Sequence, residues 1–477
     1  MTRLPPVPRS RSFGIHTHYI PTLIRSSFGK MRWRDSVIVG VIALIVSADS
    51  SLARWEQRNE VSYLRGGYNT ALFHRHNETF RNGAAIHFAH GFEHDVLELT
   101  PLSNAAAVDA RTDARYLDFI LNHRAHTEPT MEYYGPYVGR AMWRLYRAID
   151  WTHMHHEQTY DIMSERDIPW DKKKEWTDRA VRYYLEKNAV ARSCAPLDIT
   201  MRRAATMMKR YFGVFRNKYS KSNNFFYAAH WWHPAIYEAQ MLGGNGPQQD
   251  RVVRETDQVF RDQVLKDRPG RMLLSREMMP RYSRMSPESA NIFDNLHMLH
   301  GIAYDILAYE GWTIEEKRAE LYRVIEAMSY QPGDEQYARK FKTPHPDMDP
   351  RRYEEWMKGF DGDMNRIMIE MHEEMMPMHM PEGKAMSPEI KEQMSGQLRM
   401  KLTPGMQEGE IEGSWHDVMM KLMPDMKMDM DSIKPGKASK MMVDAMLKGW
   451  REKHGNEPDI EPMPMAHESS GDHASLK

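Results

Sequence analysis

The chain has 477 residues, a net charge of −1 at pH 7 and one cysteine. Its 65 lysines and arginines balance 66 acidic residues, which excludes the concentrated basic surface that nucleic-acid binding requires. A mean hydropathy of −0.69 excludes a polytopic membrane protein. Because Cys194 stands alone, an intramolecular disulfide and a cysteine-based zinc site are both excluded, and any bound metal must be held by His, Met, Asp, Glu or Tyr.

The N-terminal region contains the longest apolar run of the chain, at residues 36–48, and Arg32 and Arg34 precede it. This run is too short for a membrane span of about 20 residues but is typical of the apolar region of a signal peptide. Val46 and Ala48 supply the small residues that a cleavage site needs at its −3 and −1 positions. The sequence therefore predicts an exported protein.

Two alternatives stay open for this region. Either residues 1–48 are a cleaved signal peptide, with Met31 as the true start, or they remain as an uncleaved signal anchor. In both cases the rest of the chain is expected in the periplasm or another extracytoplasmic compartment. Contact with a membrane is expected only through the anchor.

Residues 49–335 are predicted to form an all-α domain of repeated helical hairpins, arranged as a solenoid or an α/α toroid. Helical periodicity recurs along this region, the breaks are short and polar or contain Gly and Pro, and alternating β-branched runs are absent. The predicted helices include Thr112–Asn122, Tyr137–Ala148, Asp171–Glu186, Thr200–Phe215, Arg251–Val264 and Glu315–Met328.

One polar pattern, His-x-x-His-x-x-x-(Tyr or His)-(Asp or Glu), occurs four times in this domain. Successive copies begin 66, 77 and 67 residues apart, which indicates an internal repeat several helices long. The copies are His87/His90/His94/Asp95, His153/His156/Tyr160/Asp161, His230/His233/Tyr237/Glu238 and His297/His300/Tyr304/Asp305.

Each copy places its first three polar side chains on one narrow stripe of a helix, within about 60° of one another. Imidazoles at this spacing can share a transition metal. We therefore predict the nine histidines of the four stripes as metal ligands. The tyrosines of the stripes are predicted to be further ligands or hydrogen-bond partners; they are Tyr160, Tyr237 and Tyr304. Asp150 and Asp294, three residues before the second and fourth stripes, are expected to orient the imidazoles.

Sequence alone leaves two arrangements open for the stripes. In an open solenoid they are too far apart to share a metal, whereas in a toroid or bundle they line one interior. Burying four polar stripes without shared partners is costly, which favours convergence. The structural alternative is that these histidines only pack helix against helix. Pro234, directly after His233, is expected either to kink its helix or to set His230 in the preceding turn.

The segment 297–319, followed by Ala327 and Pro332, resembles a tetratricopeptide-type helical hairpin. It contains a small residue inside its first helix, the turn Gly311-Trp312, and an alanine and a proline five residues apart after its second helix. The resemblance mainly covers this one unit. It implies a stack of helix pairs.

Beyond residue 335 the composition changes, and residues 336–477 are predicted to be a Met-rich appendage, partly helical and partly disordered. Short helices are expected at Arg351–Met376 and Lys440–Glu452. Thioether and imidazole groups together favour Cu(I), so this region is expected to bind copper. The alternative is that its methionines form an adaptable surface that binds a protein partner. The predicted auxiliary ligands are His372, Met375, Met378, His379 and Met380.

The sequence thus predicts an exported helical-repeat protein that binds a transition metal, with copper favoured over zinc or iron. One alternative is a helical-repeat scaffold for a protein partner. The other is a metal-dependent oxidoreductase whose site is a convergent histidine cluster. No substrate or catalytic residue can be assigned from the sequence.

Overall fold

The protein is helical in the part that its computed structural model describes, which comprises residues 64–124, 126–128, 130–187, 189–340, 349–358, 364–375, 387–389, 392 and 446–452. Within these ranges no strand forms, and an isolated bridge joins Arg192 to Ser329. The prediction of an all-α fold is confirmed. The predicted signal segment, 1–48, lies outside the described residues. Among the residues described, no helix combines the length and the apolar character needed to cross a membrane.

The helices are numbered here in chain order. They are α1 (Ala71–Arg75), α2 (Asn77–Leu99), α3 (Ala105–Asn122), α4 (Met131–Tyr134), α5 (Pro136–Ala141), α6 (Trp143–Ser164), α7 (Trp170–Leu185), α8 (Leu197–Ala204), α9 (Val214–Lys218), α10 (Ser220–Gly243), α11 (Pro247–Val259), α12 (Ser275–Met278), α13 (Pro280–Met285), α14 (Pro287–Ala308), α15 (Ile314–Ala327), α16 (Asp334–Lys340), α17 (Tyr353–Lys358) and α18 (Met364–Met375).

The four longest helices, α2, α6, α10 and α14, are the central helices of the fold. The backbones of these helices approach one another in a closed cycle: α2 with α14, α14 with α6, α6 with α10, and α10 with α2. In an open solenoid the first and last of them would lie apart, but α2 and α14 are neighbours. Each central helix carries one histidine stripe, so this closed packing brings all four stripes to one interior.

Two segments of the chain contain helices in the same order. A five-residue helix precedes α2 and another precedes α10, and a four-residue helix followed by a six-residue helix precedes both α6 and α14. Equivalent contacts lie about 144 residues apart. Lys173 donates to the carbonyl oxygen of Met163, and Lys317 donates to that of Leu307, each at 2.7 Å. The segments 71–185 and 214–327 are therefore built alike.

Two of the predicted helices are wrong in their extent. The predicted helix Tyr137–Ala148 is broken at Met142, which is neither helical nor extended (φ −136°, ψ 49°) and separates α5 from α6. The predicted helix Thr200–Phe215 ends early, because Ala205 adopts the left-handed conformation with φ 48°. The left-handed region is costly for a residue with a Cβ, so sequence propensity does not indicate such a break.

The other predicted helices of this domain are confirmed, with shifted ends. The prediction Arg251–Val264 corresponds to α11 followed by a π-helical turn, Phe260–Val264. Pro234 lies inside α10, which continues from Ser220 to Gly243, so His230 and His233 share one helix. His230 lies in the turn of this helix that precedes Pro234, as one of the two alternatives expected, and a kink at Pro234 stays a prediction.

The described parts of the Met-rich region pack against the helical domain. The ring of Trp356 in α17 lies 5.8 Å from that of Trp231, edge to face. Glu374 in α18 forms an ion pair with Arg202. The predicted helix Arg351–Met376 corresponds to α17 and α18, between which residues 359–363 are not described. The domain boundary at 335 and 336 stays a prediction.

Candidate metal centre

The four histidine stripes meet in the interior of the central helices. The ring of His87 in α2 stacks on that of His153 in α6, with centroids 3.7 Å apart. His233 in α10 lies 5.4 Å from His297 in α14. Further ring pairs between stripes are His90–His300 at 5.2 Å, His94–His300 and His153–His300 at 5.9 Å, His156–His233 at 6.1 Å, His156–His297 at 6.3 Å and His87–His233 at 5.3 Å. The predicted histidines therefore form one connected cluster, called here the histidine cluster.

Burial favours the neutral form of seven histidines of this cluster. None of its nine histidines is more than 4% exposed. Burial lowers the pKa of His94 to about 3 and that of His230 to about 4. Burial also holds the pKa of five others well below the usual range: His90, His156, His233, His297 and His300. A neutral imidazole has a free lone pair, which is the form that binds a metal.

Many nitrogen atoms of the cluster lack a hydrogen-bond partner among the described residues. They are Nε2 of His87, both ring nitrogens of His90, Nε2 of His94, both ring nitrogens of His156, Nδ1 of His297 and both ring nitrogens of His300. Buried polar groups in folded proteins are nearly always satisfied, and an unsatisfied one costs a few kcal/mol. Among the described residues, these nitrogens are therefore free to bind a ligand.

Three histidines have one ring nitrogen held by a side chain outside the stripes. Nδ1 of His87 contacts the carboxylate of Glu128. Nδ1 of His94 lies 3.0 Å from the hydroxyl of Tyr146, and Nε2 of His230 lies 3.0 Å from Oγ of Ser275. A hydrogen bond to one nitrogen of a metal-binding imidazole fixes its tautomer and ring orientation. Sequence reasoning missed these three partners, because none belongs to the repeated pattern.

Glu128 brings a carboxylate to the edge of the histidine cluster. It lies between α3 and α4, and its side chain is only 4% exposed. Ligand atoms of His87, Glu128 and His153 all lie within 4.8 Å of one another, close enough to hold one ion. Nothing in the sequence around Glu128 indicates this placement.

The tyrosines of the stripes act as hydrogen-bond donors to backbone carbonyl groups of other central helices. Tyr160 donates to the carbonyl oxygen of His233 at 2.9 Å, and its hydroxyl lies 3.3 Å from Nδ1 of the same residue. The other two bonds run from Tyr237 to the carbonyl oxygen of His156 at 3.1 Å and from Tyr304 to that of His90 at 3.4 Å. Of the two predicted roles, these contacts support the hydrogen-bond partner.

Asp150 and Asp294 accept hydrogen bonds from backbone N–H groups at the starts of short helices. Asp150 accepts from Met131 at 3.4 Å, and Asp294 accepts from Ser275 at 2.6 Å. Asp294 also lies 3.9 Å from Nε2 of His230, which belongs to a different stripe. Burial raises the pKa of Asp294 to about 7. The expectation that the two aspartates orient imidazoles stays a prediction.

The acidic residue that closes each stripe has the same structural role. Each carboxylate accepts from the backbone at the start of a short helix and so satisfies N–H groups that have no partner within the helix. The bonds run from Tyr137 and Val138 to Asp95, from Thr70 and Leu72 to Asp161, from Arg281 to Glu238, and from Gly213 and Phe215 to Asp305. The repeated acid thus joins each central helix to a neighbouring helix.

A cavity of about 70 Å³ adjoins the cluster, and Phe226 forms part of its wall. Met298, Met364 and Met368 also line it. The ring of Phe226 lies 5.5 Å from that of His90, so one side chain borders both the cavity and the cluster.

The predicted auxiliary ligands of the Met-rich region cannot be placed in the same way. His372 and Met375 belong to α18, but their side chains lie outside what the structure describes, as do residues Met378, His379 and Met380.

No family model, no curated protein and no solved structure was found to match this chain.

Proposed function

We propose that this protein binds a transition metal, with copper as the ion, in the histidine cluster. The observation that carries the proposal is the set of buried, unpartnered imidazole nitrogens where four helices meet. As packing residues alone these nitrogens would destabilise the fold, since each loses its hydrogen bonds to water. A bound cation gives them a partner.

The best-supported position for an ion is at His87, Glu128 and His153, called here the first position. Two imidazoles and one carboxylate are a donor set that transition metals accept. His90 and His300 lie beside it, since the rings of His153 and His300 are 5.9 Å apart and those of His90 and His300 are 5.2 Å apart. The carboxylate also supplies a negative charge that can offset part of the charge of a bound cation.

Copper is the proposed ion for two reasons. Affinity for nitrogen donors among divalent ions rises from iron through nickel to a maximum at copper, and zinc binds less tightly. The Met-rich region additionally pairs thioethers with His372 and His379, a combination suited to Cu(I). We propose that this region is an auxiliary copper-binding or partner-binding segment of an exported protein.

The test is metal analysis of the purified full-length protein grown with ample copper, zinc and iron. We expect at least one copper ion per chain in the wild type. The double variant His153→Ala, His297→Ala is expected to lose its metal while its helix content by circular dichroism stays near that of the wild type.

A matched control comes from α6 itself. His155 is also buried, but its Nε2 bonds to Oγ of Ser289 at 2.9 Å and its ring packs on Tyr184 with centroids 4.9 Å apart. His155→Ala should therefore keep the metal. A wild-type protein without stoichiometric metal would contradict the proposal and favour the scaffold alternative. Zinc or iron in place of copper would contradict only the choice of ion.

The cavity beside Phe226 favours a second candidate function, a metal-dependent oxidoreductase. A cavity of about 70 Å³ has room for a small uncharged molecule next to the cluster. Carbon monoxide, which binds Cu(I), is a suitable probe. It is expected to bind the reduced, copper-loaded protein, detected by its infrared stretching band, and to bind more slowly to Phe226→Trp.

The control for this test is Tyr133→Trp, a change at a side chain that is 66% exposed. It should leave the rate of carbon monoxide binding unchanged. A reduced copper protein that binds no carbon monoxide would contradict the oxidoreductase, because it would have no open coordination position.

We also propose that the two similarly built segments arose by internal duplication. The support comes from equivalent bonds in both segments: Asp161 accepts from Thr70 at 2.7 Å, and Asp305 accepts from Gly213 at 2.8 Å. The predicted tetratricopeptide-like hairpin would then correspond to α14 and α15.

A further inference from the structure

His156, His233 and His297 form a triad of imidazoles away from the carboxylate of Glu128. Their ring centroids are 6.1 Å apart for His156–His233, 6.3 Å for His156–His297 and 5.4 Å for His233–His297. The three residues come from α6, α10 and α14, so three different helices hold the triad. None of them is more than 1% exposed.

These distances are close to those of three imidazoles around one ion. A metal–nitrogen bond of about 2.0–2.1 Å places each ring centroid roughly 3.2 Å from the metal. Two rings on the same ion are then roughly 4.5–6.4 Å apart, for angles at the metal between 90° and 180°. Three rings in a plane around one ion are roughly 5.5 Å apart, so each ring of the triad must move roughly 0.2–0.3 Å towards the ion. Taken pair by pair, the rings of the triad fall within the wider range. The stacked rings of His87 and His153 are only 3.7 Å apart, which is below this range, so these two rings must separate slightly to share an ion.

The internal similarity of the chain supplies an independent argument. A shift of 143 or 144 residues relates His90 to His233, His153 to His297 and His156 to His300. The triad therefore has a counterpart in His90, His153 and His300, which shares His153 with the first position. The corresponding ring distances are similar but shorter in the counterpart. They are 5.2 Å for His90–His300 against 6.1 Å for His233–His156, and 5.9 Å for His153–His300 against 6.3 Å for His297–His156.

We propose that the triad of His156, His233 and His297 is a second metal position, so that the histidine cluster is a binuclear centre. This inference rests on the proposed function and adds the number and place of the ions. Three neutral nitrogen donors make the second position softer than the first, which contains a carboxylate. Three protein ligands also leave a coordination place for a small molecule, as in catalytic metal sites.

The two positions have different surroundings. At the first position, the carboxylate of Glu128 contacts Nδ1 of His87. The residue related to His87 is His230, whose Nε2 contacts the hydroxyl of Ser275, a neutral group, at 3.0 Å. The two ions are therefore expected to be inequivalent, with the ion beside Glu128 favoured in the divalent state.

The test loads the full-length protein with copper alone and counts ions by mass spectrometry. The wild type is expected to hold two ions per chain, and His233→Ala to hold one. His87→Ala is the matched variant for the first position and should also hold one. With both ions oxidised, magnetic coupling should broaden or abolish the Cu(II) resonance of the wild type, and His233→Ala should restore the spectrum of an isolated ion.

Because removing a buried imidazole lowers stability, His156→Gln provides a second variant of the triad, and circular dichroism must match the wild type. One ion per chain in the wild type overturns the second position and leaves the proposed function standing. Unchanged metal content in folded His233→Ala and His156→Gln also overturns it. A wild type that binds no copper overturns both proposals.

Discussion

The hydroxyl of Tyr160 in α6 donates a hydrogen bond of 2.9 Å to the backbone carbonyl of His233 in α10. This bond crosses between two stripes, and Tyr304 makes the equivalent bond to His90 between the other two. The tyrosines therefore hold the backbone that carries the imidazoles. They connect the central helices directly around the cluster.

Replacing Tyr160 with Phe should lower the free energy of unfolding by about 1–2 kcal/mol, because a buried carbonyl group loses its donor. Metal content should stay at the wild-type value. Chemical denaturation and metal analysis measure the two quantities. Tyr133→Phe, at an exposed position, is the control and should change stability by less than about 0.5 kcal/mol. Loss of metal in Tyr160→Phe would instead identify this tyrosine as a ligand.

Asp305→Ala is expected to destabilise the protein by about 1–2 kcal/mol, since the carboxylate accepts from Gly213 at 2.8 Å and from Phe215 at 2.9 Å at the start of α9. Asp161→Ala should have an effect of similar size through Thr70 and Leu72. The measurement is again the free energy of unfolding. Asp262→Ala, at an exposed position, provides the comparison, and equal effects at all three sites would rule out the structural role.

Removal of metal should lower the melting temperature of the wild type. An ion present at 100 times its dissociation constant stabilises the folded state by about 2.7 kcal/mol. Because the unfolding entropy of a chain this long is roughly 0.6–1 kcal/mol/K, that corresponds to a shift of roughly 3–5 °C in the melting temperature. Calorimetry with and without a chelator measures it. The double variant His153→Ala, His297→Ala should not respond to the chelator, and an identical shift in both proteins would show that the chelator acts elsewhere.

His76 should make the protein sensitive to acid. Burial lowers its pKa from 6.5 to about 4 in the folded state. The unfolded chain therefore binds the proton first as pH falls, and stability is lost between pH 6.5 and 4. Between pH 8 and pH 5, the free energy of unfolding should fall by about 2 kcal/mol more in the wild type than in His76→Gln. Equal pH dependence of unfolding in the two proteins would mean that the pKa of His76 is the same in the folded and unfolded states.

The N-terminus of the exported product should lie after residue 48. The apolar run ends in Val46-Ser47-Ala48, which fits a signal peptidase site. N-terminal sequencing of protein from the extracytoplasmic fraction measures this. A product that keeps residues 36–48 and sediments with membranes would favour the anchor, whereas a cytoplasmic product that begins at Met1 would contradict export.

The sequence by itself determined the all-α fold, the four stripes and their place on long helices, because helical periodicity and a four-fold repeated pattern are local signals. Only the tertiary structure decided that α2 contacts α14 and that the stripes converge, since closure of a helical array depends on contacts between residues far apart in the chain. Glu128, Tyr146 and Ser275 join the cluster from outside the pattern for the same reason. The breaks at Met142 and Ala205 also depend on packing, which overrides local helix propensity.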